Sequence, residues 1–412
     1  MLAAVKHKND ATPLGAVLVM TFACSLGTGV FWHGVPFIAK HTYGFAQARN
    51  LLLAAAMGGI YTFGAFTAGR LTRLVEHRLT PRTVLAACVT TLAAVSLGPI
   101  LARGQWALWL AGIVGSYVSS VLWPVIESYV SAGRHGPAMR SAIGWFNLTW
   151  APAVAVPLFA MAPILEKHGQ WALGGFAGIS FLALVALPWF APRPGHHDPE
   201  LADAHIGPEY PMLLRCARVL LPLSYVLNSA MSPILPYRFE ALDLAVSMET
   251  PVAATWVVVR VITFVAMWRL GFWHGRWGTL LLGAVAMAGG FAFVVAGQGL
   301  GTVLLGLACL GAGLGVVYYA ALYYALSVGR AAVEAGGTHE GLIGTGYTIG
   351  PVAGLGGAAL GGGRGIVAVV WTLVALAGIP ALQPYLRARR LRTQRRDAAA
   401  TAGSAAGPAR SE

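Results

Sequence analysis

Charge is what this sequence lacks most. Only 10% of its 412 residues are Asp, Glu, Lys or Arg, against about 25% in an ordinary soluble domain. A chain that is 57% hydrophobic could not coat a water-facing surface, and this excludes a soluble globular protein. Cysteine is nearly absent. Cys24, Cys88, Cys216 and Cys309 are scattered in or beside apolar runs, a pattern that builds neither a disulfide framework nor a zinc site. No Gly-rich loop is followed by Lys-Ser/Thr, and stretches such as GPVAGLGGAALGGG have the GxxxG spacing of packed helices rather than of a phosphate cradle. Direct ATP drive is therefore not expected. Nor is an enzyme, since no catalytic triad stands out, and the sequence implies no cofactor.

Long apolar runs are what remain. Twelve reach the ~20 residues a bilayer span needs: 14–37, 46–69, 81–101, 105–131, 141–163, 169–191, 212–236, 250–269, 277–298, 301–327, 341–361 and 365–384. Their length predicts helices, because barrel strands would be shorter and alternating. The polar, basic start MLAAVKHKNDATPLG reads as a leader to the first span, and the run after it is too long for a cleaved signal. If both chain ends share one side, 21 of the 28 Lys and Arg fall there and six on the other, with Arg260 left inside a span. By the positive-inside rule that side is the cytoplasm. The net charge of +13 thus sits in loops facing the bilayer, which argues against a nucleic-acid partner. Abundant Ala, Gly and Arg with only four Lys suggest a bacterial chain, hence a multi-pass protein of the plasma (inner) membrane.

The expected fold class is all-α, with twelve transmembrane helices in two six-helix pseudo-symmetric halves. Residues 192–211 are the most polar internal stretch and divide the chain into halves 1–191 and 212–386. Residues 387–412 form a basic tail expected to follow headgroups and fray. In the linker His196, His197, His205, Asp198 and Asp203 offer metal ligands, though a solvated linker explains them as well, and no metal site is assigned. A weak repeat supports the division. SAGR (131–134) matches SVGR (327–330), and IGWFNLTWAP (143–152) matches IGTGYTIGP (343–351), at the junctions of spans four–five and ten–eleven.

With that architecture the chain resembles the major facilitator superfamily over essentially its whole length. The loop after span two, GRLTRLVEHRLTPR (69–82), matches the family's motif at Gly69, Leu71, Arg78 and Arg82. It departs where Arg73 replaces the motif's Asp and Glu76 its second Gly. The resemblance implies secondary transport by alternating access, with spans one, four, seven and ten lining a cavity and five, eight and eleven at the interface between halves. The implied partners are a small-molecule substrate, a proton or other coupling ion, and the lipid bilayer.

Two charges stand inside spans, Arg260 and Glu127, and each costs about 2.5–3.5 kcal/mol at the bilayer centre unless it faces the bundle interior. Both lie on polar stripes at helical spacing: Ser116, Ser120, Trp123 and Glu127; Trp256, Arg260, Thr263 and Met267. Thr21, Ser25, Thr28 and Trp32 make a third. Arg260 has two readings, an anchor for an anionic substrate group or a structural partner for an acid or helix end. Glu127 also has two, a proton carrier or, as in the superfamily's sugar porters, a gate latch paired with Arg134 seven residues on. Arg140 and Arg73 are the other latch candidates. Further substrate-binding candidates are Trp32 and His33 on span one, Asn147 and Trp150 on span five, and Tyr225 and Asn228 on span seven. Tyr319 and Tyr323 on span ten and Tyr347 on span eleven complete the set. Glu340 reads as a helix-start residue held by the dipole. The alternative to a transporter is a transporter-like scaffold, sensor or assembly factor.

Overall fold

The computed structural model describes residues 12–75, 77–102, 104–134, 136–195, 209–328 and 333–405. Among them the regular structure is helical. Six long helices precede the linker: α1 (Leu14–His41), α2 (Gln47–Val75), α3 (Pro81–Leu101), α4 (Gln105–Ser131), α5 (Gly136–Ala160) and α6 (Trp171–Trp189). Four follow it: α7 (Tyr210–Met231), α8 (Val246–Arg269), α9 (Trp277–Ala296) and α10 (Leu300–Val328). The remaining helical stretch, Val333–Ala405, is interrupted at Gly361 and Gly362. Its apolar part, Gly337–Pro380, has 44 residues, or about 66 Å of helix against a hydrocarbon core of about 30 Å. It folds back on itself. A Cβ built on Gly365 would lie 2.2 Å from the carbonyl oxygen of Gly357, whereas eight residues of straight helix separate those backbones by about 12 Å. The stretch is therefore two spans, α11 (333–360) and α12 (363–405), which makes twelve among the described residues.

The turn rests on Gly362, whose φ of 56° and ψ of −136° lie in a region essentially reserved for glycine. Gly362→Ala is expected to cost about 1–3 kcal/mol and to lower the melting temperature in detergent, while Gly361→Ala, at extended φ, costs less.

Local chemistry sets other helix ends. Thr80 caps α3 by accepting from the Thr83 N–H at 3.2 Å, with Pro81 at the first helical position. After α4 ends at Ser131, Gly133 turns the chain at φ 64°. Arg134 then reaches back to the carbonyls of Tyr129 (2.9 Å) and Val130 (2.8 Å), which have no intrahelical donors. The SAGR match marks the end of α4, while Gly329 and Arg330 of the SVGR match lie outside the described residues.

The packing has two-fold regularity. In the first half α1 packs on α5, α2 on α4, and α3 on both α4 and α6. In the second, α7 packs on α11, α8 on α10, and α9 on both α10 and α12. Between halves α2 packs on α11 and α5 on α8, a pair of contacts that the same operation exchanges, and α4 also meets α11. This is the all-α, two-half architecture expected. Leu101, Leu182 and Leu282 face outward, and Trp106, Trp171 and Trp189 are exposed at span ends, where indole rings favour the membrane interface.

Three expectations change. α12 runs on to Ala405, so residues 387–405 are helical rather than frayed. α8 begins at Val246 and α11 at Val333, which brings Glu249 and Glu340 inside spans where Glu127 was expected to be the sole acid. The linker's His196, His197, His205, Asp198 and Asp203 lie outside the described residues.

Candidate functional site

A cavity of about 50 Å³ lies between the halves. Seven rings line it: Trp32 of α1, Tyr61 of α2, Trp123 of α4, Trp150 of α5, Tyr225 of α7, Tyr318 of α10 and Tyr347 of α11. The charged side chains on its wall are Glu127 of α4 and Glu340 of α11. Since one water needs about 10–15 Å³, the cavity has room for only a few waters.

Three polar stripes converge here. Ser116, Ser120, Thr21, Ser25, Trp256 and Arg260 are buried, while Thr28, Trp32, Trp123 and Glu127 reach the wall. Glu340, 5% exposed, accepts a short hydrogen bond from the Tyr61 hydroxyl. Glu127, His339 and Glu340 each place a ligand-type atom within 4.8 Å of the others. The His339 Nε2 is buried without a hydrogen-bond partner. Glu340 stands two turns inside α11, so helix-start placement does not explain it. Sequence reasoning put it at the start of span eleven and assigned it no role, because THEGLIG follows a pair of glycines.

Arg260 is 3% exposed and stands behind the wall rather than on it. Its guanidinium carbon lies 4.7 Å from the Trp150 ring centre and 4.8 Å from that of Tyr318. Its Nη2 donates to the Tyr225 hydroxyl at 3.3 Å, and its Nε has no partner. Among the described residues no carboxylate lies within 4.0 Å of it, so the ion-pair reading finds no acid. Cation–π attraction to several rings, worth ~2 kcal/mol when desolvated, holds the charge instead.

The other candidates divide by helical register. Trp32 stacks on Tyr347 at 3.9 Å and 12°, and this pair walls off a second cavity of about 20 Å³ lined by His33, Asn50, Asn228 and Ser232. Asn147 accepts from the Trp150 Nε1 at 2.8 Å and so sits one layer behind the wall. Tyr319 and Tyr323 point elsewhere, packing against Trp273 with Tyr323 stacked on His274. Their neighbour Tyr318 takes the cavity position, about 100° around the helix from Tyr319. The Glu127–Arg134 latch does not form, because Arg134 caps its own helix end and Glu127 faces Glu340. Gly69 has open space where a Cβ would stand. The side chains of Arg73 and Arg140 lie outside the described residues.

Beyond the Trp32–Tyr347 stack, at the end away from the chain termini, the halves are tied together. Lys40 lies 3.1 Å from Glu240 and 3.9 Å from Glu249, and His41 lies 2.8 Å from Glu249. Asn50 donates to the carbonyls of Pro36 (2.9 Å) and Pro233 (3.3 Å), one from each half. The Tyr237 hydroxyl donates to the Phe45 carbonyl at 2.6 Å. Burial pushes its pKa up to about 12, so this tie keeps its proton across the physiological range. The Ser232 hydroxyl donates to the Trp32 carbonyl beside the π-helical turn Gly29–Gly34, a form of backbone frequent at functional sites.

The bundle superposes on solved transporters. It matches the nucleoside transporter NupG with a TM-score of 0.64 at 13% identity, over 90% of this chain and 98% of that one. A single-residue mutant of NupG gives 0.66 at 12%, over 90% and 99%. The human organic anion transporter MFSD10 (TETRAN) gives 0.61 at 15%, over 90% and 97%. The chain has the major facilitator fold. No protein-family model matches it, and no curated protein sequence does. At these identities the likeness is one of fold, and the cavity must be read from its own residues. Within the major facilitator fold, the site lies between the two halves, where α1, α2, α4 and α5 meet α7, α10 and α11.

Proposed function

We propose that this chain is a secondary active transporter that moves a small polar solute by alternating access, coupled to protons. The observation that carries this reading is the cavity itself. It is lined from both halves, contains two carboxyl groups, and is shut at one end by ion pairs that join the halves. A rocking motion that broke Lys40–Glu240 and His41–Glu249 would open that end. The Glu127–Glu340 pair supports proton coupling, since two carboxyls this close in a site with room for only a few waters favour sharing one proton. We divide the chain into halves 1–191 and 212–386, with linker 192–211 and basic segment 387–412. The bias of basic residues supports cytoplasmic termini, and the composition supports a bacterial inner membrane.

The sequence alone suggests an anionic solute anchored by Arg260. Its place behind the wall gives Arg260 a different part, setting the positions of Trp150, Tyr225 and Tyr318. The scaffold or sensor reading is favoured by one observation, Arg73 standing where the loop motif carries an acid. Metabolite profiling inside and outside cells separates the two. Compared with cells lacking the protein, wild type is expected to redistribute at least one small solute. Arg260→Ala, at matched membrane levels and with an unchanged size-exclusion profile, is expected to reduce that redistribution at least about tenfold. No redistribution by wild type across several media would turn the assignment to a scaffold.

A further inference from the structure

We infer that the central site, when the halves part and widen it beyond the room for a few waters it has here, binds an organic cation of flat, apolar body, whose charge replaces the proton shared by Glu127 and Glu340. The inference rests on the transporter reading and supplies its substrate class. Three independent features of the wall lead to it.

The first is sign. The charged groups lining the cavity are the two carboxyls. With one shared proton the pair carries a net charge of −1. With the proton gone and a monovalent cation seated, the site again carries −1. Exchange of the cation for the proton therefore leaves the charge of a low-dielectric site unchanged, whereas an anion would add to it.

The second is the aromatic lining. Ring faces attract cations through their quadrupoles, most of all where water is excluded. Arg260 already occupies the surroundings of Trp150, Tyr225 and Tyr318. That leaves Trp32, Tyr61, Trp123 and Tyr347, which share the wall with Glu127 and Glu340. The stacked Trp32 and Tyr347, with Tyr61 at the edge of each, form a surface suited to a planar body. Arg260 in turn repels a cation from the opposite wall and so fixes which way the ligand lies.

The third is His339. It stands beside the wall, with a ring nitrogen within 4.8 Å of a carboxyl oxygen of each glutamate, and its Nε2 is buried without a hydrogen-bond partner. The titratable groups around the pair are Tyr61 on α2, Tyr225 on α7, Tyr318 on α10, and His339 and Tyr347 on α11. The nearby fixed cations are Arg260, reaching the pair through Tyr225, and Arg218 behind His339.

The experiment is equilibrium binding to the purified full-length protein. The probes are 1-methyl-4-phenylpyridinium and, as an anion of the same shape, biphenyl-4-carboxylate. The cation is expected to bind and the anion not. Affinity for the cation should fall about tenfold per pH unit on the acid side, with about one proton released per cation bound in weakly buffered solution. Glu127→Gln and Glu340→Gln should each abolish proton release and weaken binding at least tenfold, with Glu340→Asp restoring part of both. Should the glutamine variants fail to fold, wild-type proton release alone decides. Binding of the anion alone overturns the inference. So does saturable binding of Mn²⁺ or Zn²⁺ with no cation bound, which would make Glu127, His339 and Glu340 a metal site. Flux in proteoliposomes separates this inference from the transporter reading. Cation binding without flux would leave the site and remove transport, and flux of other solutes without cation binding would do the reverse.

Discussion

Glu249→Ala is expected to unlock the end of the bundle that lies away from the chain termini. Glu249 is 1% exposed and lies close to both Lys40 and His41. Removing it leaves the largely buried His41 without its 2.8 Å partner, while Lys40 keeps Glu240 and the Pro236 carbonyl, so the loss is that of one hydrogen bond to a charged group, about 1.5–3 kcal/mol. The loss is suffered only by the state in which the halves meet here, so it acts on the conformational equilibrium. About 2 kcal/mol shifts that equilibrium roughly thirtyfold. The readout is thiol labelling of Ser232→Cys, which borders the smaller cavity, in a chain whose four cysteines are replaced. Labelling should accelerate at least tenfold in Glu249→Ala. Glu240→Ala should have a smaller effect, since Glu240 is 68% exposed in its pair with Lys40 and water screens it. Equal labelling rates in wild type and Glu249→Ala would show that these ion pairs do not hold the end shut.

Gly58→Leu is expected to abolish transport and lower stability, while Gly59→Leu, one residue on, changes little. A Cβ on Gly58 would stand 2.3 Å from the carbonyl oxygen of Tyr347 and 2.7 Å from the Thr348 nitrogen, whereas nothing lies within 4 Å of one on Gly59. The atoms that block Gly58 are backbone and cannot turn aside, so α2 and α11 must separate. Overpacking costs about 1–3 kcal/mol in ordinary cores. Here it also shifts Tyr347 out of its stack with Trp32 and moves Glu340 relative to Tyr61. Thermal melting and proteoliposome flux on the two variants check this. Similar melting points and fluxes for both would mean that α2 and α11 do not pack this closely in the working protein.

Much of the architecture was legible in the sequence because its causes are local. A run of apolar residues long enough to cross a bilayer must become a helix, since no water is present to satisfy its backbone groups. SAGR marks where α4 ends. Inward-facing stripes at three- and four-residue spacing put Glu127, Trp32 and Trp123 on the cavity wall.

What the sequence could not show depended on contacts between distant segments. Glu340 looked like a helix-start residue because Gly336, Gly337 and Thr338 before it disfavour helix. Tertiary packing overrides that preference, because α11 presses on α2 closely enough that a Cβ on Gly341 would strike Phe66 and one on Gly344 would strike Thr62. The helix therefore starts early and carries Glu340 to Tyr61 and Glu127. In the same way a one-residue step in register decides that Tyr318, not Tyr319 or Tyr323, reaches the cavity, and the turn at Gly133 sends Arg134 to its own helix end. Hydropathy and charge act along the chain and fix the spans and their order. Which carboxyl meets which, and which rings enclose a cation, depends on how helices hundreds of residues apart pack together, and only the tertiary structure decides it.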